Sequence, residues 1–139
     1  MQVLILNGPN LNLTGEREID LYGNLSFEDF METLESSFPQ LAISYNQTNI
    51  EGELINFLHE ANEEVDAVIL NAGAYTHTSV AIGDAVRAIT APVVEVHISN
   101  IFDREDYRHV SYIAPAARGS IIGFGLDSYR LAVESFVVR

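Results

Sequence analysis

Asp66-Ala67-Val68-Ile69-Leu70-Asn71-Ala72-Gly73 decides how the rest of the chain is read. Its core is an unbroken apolar run of strand length with no polar alternation, the pattern of a strand covered on both faces. It stops at Asn71 and a small-residue turn, and Ser79 to Ile89 then follows helical spacing with Ser79 placed to cap it. Working outward, the same unit recurs. Upstream, Val3 to Leu6 is a second apolar run and Leu41 to Gln47 reads as another strand; Pro92 to Ile98 lies downstream as a fourth. Ser120 to Gly123 is a short fifth strand.

The intervening segments have helical period. Ser26, with Asp29 three residues on, marks a helix start, and Leu25 with Phe30 makes a hydrophobic staple. Phe27, Phe30, Met31, Leu34 and Phe38 continue that helix to Pro39. Ile50, Leu54, Leu58 and Ala61 mark the next, with Asn49 as its cap, and Asp127 caps a last helix ending near Val138. Arg104 to Arg108 reads as a single helical turn. Five alternations of strand and helix imply a parallel sheet with helices on both faces. At this size the expected fold is α/β and flavodoxin-like, with five strands in the order 2-1-3-4-5. One domain covering residues 1–139 accounts for the whole chain.

Composition narrows the function. Net charge is −13, which argues against a nucleic-acid surface and against anionic membranes. The chain opens on Gln2-Val3-Leu4-Ile5-Leu6, too short a run for a signal peptide or a membrane span, so a soluble cytoplasmic protein is expected. There is no Cys, hence no disulfide and no thiolate metal site. All seven basic residues are Arg; the absence of Lys removes imine chemistry and the P-loop lysine. The acidic excess fits either solubility or a salty habitat.

In parallel sheets, ligands bind beyond the carboxyl ends of the strands. Here those ends are polar: Asn7-Gly8-Pro9-Asn10, Asn71-Ala72-Gly73 and His97-Ile98-Ser99-Asn100 converge on one edge. The first leads into a loop reaching Asn24, long for such a connection, and it carries Arg17 and Tyr22. A Tyr is a poor base at neutral pH, but a nearby guanidinium favours the phenolate, so the two together make a sensible base. Tyr22 as a packing residue is the alternative. Asn71 and His77 can hydrogen-bond hydroxyls or a carbonyl.

Glu95 and His97 stand two apart on one strand and therefore share a face. A buried Glu95 needs a partner, and a carboxylate fixes the ring tautomer of His97 and favours its charged form. A self-satisfied buried pair is the alternative, and Glu95, His97 and His77 as metal ligands another, without supporting spacing. Ser99 and the Asp103-Arg104-Glu105-Asp106-Tyr107-Arg108 loop could take an anion, although internal ion pairing accounts for Arg104, Glu105 and Asp106.

Taken together, these motifs resemble type II 3-dehydroquinate dehydratases: Asn7 to Asn12, Arg17 with Tyr22-Gly23, Asn71 to Ser79, Glu95 to Asn100, and Arg104 to Ser111, in the family's order. The resemblance implies elimination of water from 3-dehydroquinate through an enolate, without a cofactor or a metal. It implies that Tyr22, assisted by Arg17, removes the proton alpha to the ketone, and that Asn10 helps hold a water against the enolate. It further implies that His97, oriented by Glu95, protonates the departing hydroxyl. Ile98 and Ser99 would take the carboxylate through their backbone, and Asn71, His77 and Arg108 the ring oxygens. Asp84 would come from a neighbouring subunit of a homododecamer built from trimers. The reaction serves aromatic biosynthesis or quinate breakdown alike. The loop departs from many relatives at Ile19, where Pro is common, and at Thr14, where Leu is.

Overall fold

The computed structural model describes residues 1–13 and 26–137. Five parallel strands, β1 (Gln2–Asn7), β2 (Ala42–Gln47), β3 (Ala67–Asn71), β4 (Val93–His97) and β5 (Gly119–Ile122), lie in the order β2-β1-β3-β4-β5. The helices between them are α1 (Phe27–Ser37), α2 (Glu51–Glu64), α3 (Val80–Ala88) and α4 (Asp127–Val137).

Alternation along the strands divides the core in two. Val3, Ile5, Ala67, Ile69, Val94 and Val96 face α1 and α4, meeting Phe27, Leu34, Tyr129 and Val133. Their neighbours Leu4, Leu6, Val68, Leu70 and Val93 face α2 and α3, meeting Leu54, Leu58 and Ile82. Both faces are therefore covered, which is why the strands read as continuous apolar runs. Leu54 and Leu58 are fully buried, so truncating either to Ala would cost about 2–5 kcal/mol.

The helix starts agree with the sequence in two places and differ in two. Ser26 accepts from the Asp29 backbone at 3.2 Å and Ser79 from that of Ile82 at 2.9 Å, as expected of caps. The Leu25 half of the staple lies outside the described residues. Asn49 does not cap α2: its Oδ1 accepts instead from the backbone N–H of Asn10 at 3.0 Å and from Gln47 Nε2 at 3.2 Å. Thr48 serves that helix end, accepting from the Ile50 N–H at 3.1 Å and donating to Glu53. Asp127 is the first residue inside α4 rather than its cap, and its carboxylate pairs with Arg130 at 2.6 Å. The turn expected over Arg104–Arg108 is two short 3-10 turns, Ile101–Asp103 and Asp106–His109, with Arg104 and Glu105 between them.

Candidate active site

The carboxyl ends of β1, β3 and β4 open into one cleft, lined by Pro9, Asn10, Asn71, Gly73, His77, His97, Ile98, Ser99, Arg104 and Arg108, with Leu11, Leu13 and Ile101 as its apolar wall. Two glycines let the first two rims pack together. The Gly8 N–H donates to the Asn71 carbonyl at 2.7 Å, and a Cβ on Gly8 would stand 2.5 Å from the Ala72 carbonyl oxygen. Gly73 has φ +61, a conformation glycine adopts without strain, and lies against Pro9. Asn10 also adopts positive φ, 69°, which Asn tolerates better than most residues.

Asn7 and Asn71 are cross-strand partners at the ends of β1 and β3, and both are buried. They are bridged from below by Tyr129 of α4. Its hydroxyl donates to Asn7 Oδ1 at 2.8 Å and accepts from Asn71 Nδ2 at 2.8 Å. Asn71 Oδ1 accepts from the Gly73 N–H at 3.1 Å, so the Asn71 side chain is held at both ends.

Glu95 and His97 end β4 on the face of α2 and α3. Glu95 is 1% exposed and His97 5%, with Nε2 2.9 Å from Oε2. The contact lacks hydrogen-bond alignment and becomes an ion pair when the imidazole is protonated. Three hydroxyls complete the carboxylate's surroundings: Thr76 at 2.5 Å and Ser111 at 2.7 Å on Oε2, and Ser120 at 2.8 Å on Oε1. Burial pushes the Glu95 carboxyl up, but the His97 contact and charge, with Thr76 and Ser111, outweigh it and hold the group down to about 2.

His77 stacks beside His97, ring centroids 6.2 Å apart. Its Nδ1 donates to the Val110 carbonyl at 2.8 Å, which leaves Nε2 as the acceptor of a neutral ring. Burial, with smaller contributions from the charges on His97 and Arg108, favours that neutral form against the pull of the Val110 carbonyl.

The sequence-derived candidates divide three ways. Asn10, Asn71, His77, His97, Ile98, Ser99 and Arg108 line the cleft, with Glu95 directly behind His97. Asp84 is exposed on α3 and does not line it. Arg17 and Tyr22 lie outside the described residues. Arg104 pairs with Glu105 at 3.9 Å, as expected of an ion-paired turn, and in addition lines the cleft and donates to Ser99 Oγ at 3.3 Å; Glu105 lies closer to Arg108, at 3.0 Å. Thr76, Ser111, Ser120, Asn7 and Tyr129 were given no role by sequence reasoning. Asn7 stood in a polar strand end already read as part of the site, whereas Ser120 comes opposite Glu95 only through the β4–β5 register, which the sequence does not display.

The model of the class II dehydroquinase family matches residues 1–137. This chain belongs to that family. A 3-dehydroquinate dehydratase from an Exiguobacterium species is 52% identical over 138 residues, covering 99% of this chain and 94% of the relative. The crystal structure of a type II dehydroquinase from Butyrivibrio crossotus superposes with a TM-score of 0.93 at 38% identity, over 97% of this chain and 96% of that one. A second, from Propionibacterium acnes, gives 0.94 at 36% identity, over 99% and 97%. The flavodoxin-like architecture and the family read from the motifs agree with these comparisons.

Proposed function

We propose that this protein eliminates water from 3-dehydroquinate to give 3-dehydroshikimate through an enolate. The observation that carries the reading is a buried histidine–carboxylate pair, His97 and Glu95, at the floor of a cleft rimmed by Asn10, Asn71, His77 and Arg108. Such a cleft suits a small polyhydroxylated acid: it offers guanidinium and backbone N–H groups for a carboxylate and amide and imidazole groups for ring hydroxyls.

In this mechanism Tyr22, as tyrosinate assisted by Arg17, takes the proton alpha to the ketone, and Asn10 holds a water against the enolate oxygen. His97 gives its proton to the leaving C1 hydroxyl, so one water departs and no electrons are exchanged with a partner. Ile98 and Ser99 hold the substrate carboxylate, while Asn71, His77 and Arg108 hold the ring oxygens. Neither a cofactor nor a metal takes part. Asp84 reaches a neighbouring subunit's cleft, within a homododecamer built from trimers in the cytoplasm. Its exposed place on α3, away from its own cleft, supports that assignment. Among the described residues no helix is long and apolar enough to cross a membrane.

The test is direct. Protein mixed with 3-dehydroquinate should produce the ultraviolet absorbance of a conjugated enone, undiminished by a chelator, and protein treated with borohydride plus substrate and then freed of both should remain active. Tyr22→Phe should lower turnover by about two to four orders of magnitude, the range of a general base. A folded oligomer that generates no enone would defeat the assignment. A fully active monomer in the sedimentation cell would remove Asp84 from the site.

A further inference from the structure

We propose that Ser111 is a positioning residue, locked as a hydrogen-bond donor to Glu95, and that with Thr76 and Ser120 it keeps Glu95 ionised as the counter-charge behind His97. This rests on the acid role given above to His97. A serine hydroxyl has a single proton to give. Ser111 Oγ accepts from two backbone N–H groups, Ile113 at 3.1 Å and Ala114 at 2.9 Å. Its acceptor capacity is thereby filled, and its single proton points to Glu95 Oε2 at 2.7 Å. Thr76 lies 2.8 Å from Ser111, but with Ser111 unable to accept further, the Thr76 proton also goes to Oε2, at 2.5 Å. Ser120 supplies Oε1.

A carboxylate with three donated hydrogen bonds is a weak base, because each donor stabilises its charge and would be lost on protonation. Without them, burial would favour the neutral carboxyl, and His97 would lose its counter-charge. With them, Glu95 stays an anion facing Nε2 and stabilises imidazolium, whose proton on Nδ1 is the one free for the leaving hydroxyl. The loop that carries Ser111 also carries Val110, whose carbonyl holds His77. It is tied to the turn after β3 through the Tyr112 N–H and the Thr76 carbonyl, at 2.8 Å. One short segment therefore sets both histidines.

The experiment labels glutamate side-chain carboxyls with carbon-13 and follows Glu95 by NMR against pH, in the assembled protein, beside the pH profile of turnover. The parent should keep Glu95 ionised to the lowest pH at which it is folded. Ser111→Ala should raise the Glu95 titration by about one to two pH units, the worth of a hydrogen bond to a charged group, and lower turnover roughly tenfold. Ser111→Thr, which retains the hydroxyl, should restore both. If Ser111→Ala does not fold, Ser120→Ala removes a donor from an exposed edge position and should move the titration in the same direction. A Glu95 titration unmoved in the folded variant would overturn the proposal, even if turnover fell. Parental turnover in Glu95→Gln would instead overturn the acid role of the pair, leaving the titration to report the hydroxyls on their own.

Discussion

Asn7 and Tyr129, 122 residues apart in the chain, share a buried hydrogen bond of 2.8 Å. Through it the last helix is fastened to the end of the first strand, and the same phenol receives Asn71 from the third. The floor of the cleft is therefore not made by its rims alone. Its orientation depends on a helix that contributes nothing to the cleft surface.

Tyr129→Phe tests that dependence. The ring would keep its edge-on packing against Phe27, 5.0 Å between centroids, so the core volume changes little. Asn7 Oδ1 and Asn71 Nδ2 would each lose a partner in a site closed to water. The expected cost is about 1–3 kcal/mol, seen as a lower urea midpoint with an unchanged slope. An unaltered midpoint would mean that the two amides re-pair without the phenol.

Gly83 and Gly52 make a matched pair of opposite sign. Both sit in helices, where Gly→Ala ordinarily stabilises by about 1 kcal/mol. At Gly52 nothing lies within 4 Å of the added Cβ, so Gly52→Ala should gain up to that amount. At Gly83 the Cβ would meet the Tyr112 carbonyl oxygen at 2.4 Å, and a backbone atom cannot rotate away. Gly83→Ala should therefore destabilise by roughly 1–3 kcal/mol, the overpacking range, and lower turnover by displacing the loop that holds Ser111 and Val110. Thermal unfolding of the two variants side by side checks this; shifts of the same sign would count against the clash.

How far the sequence foretold all this follows from the range of each interaction. The central strands β1, β3 and β4 were legible because they are covered on both faces and read as local apolar runs, unlike the more exposed edge strands β2 and β5, and the cleft because its residues directly follow those runs. The Glu95–His97 pair was legible because a spacing of two on a strand is itself a geometric statement. The hydroxyls of Thr76, Ser111 and Ser120 were not, since they reach Glu95 from three separate elements and, read locally, are ordinary turn and edge residues. Asn49 misled for a related reason. A cap-type residue in a cap-type position found a better use bridging the first loop to β2, and Thr48 took over the helix end.

The charge on Glu95 should be visible in stability and in rate. Its folded carboxyl lies at about 2 against an ordinary value of 4.5, because His97 and the hydroxyls outweigh burial. A depressed carboxyl contributes stability that is fully present above its unfolded value and is lost as pH falls toward its folded one. The part of the stability gap between the parent and Glu95→Gln that comes from this carboxyl should therefore be lost as pH falls from about 4.5 to about 2. A gap of the same size across that window would mean that Glu95 is not the group responsible. In turnover, removing the counter-charge disfavours imidazolium at His97, so the alkaline limb of the profile should move to lower pH. His97→Ala should remove the acid altogether, at a cost of roughly 3–5 kcal/mol in barrier, the 10²–10⁴-fold a general acid supplies. Folding must first be matched by circular dichroism in both variants. If the alkaline limb of folded Glu95→Gln stays where the parent's lies, the carboxylate serves the fold and not the acid.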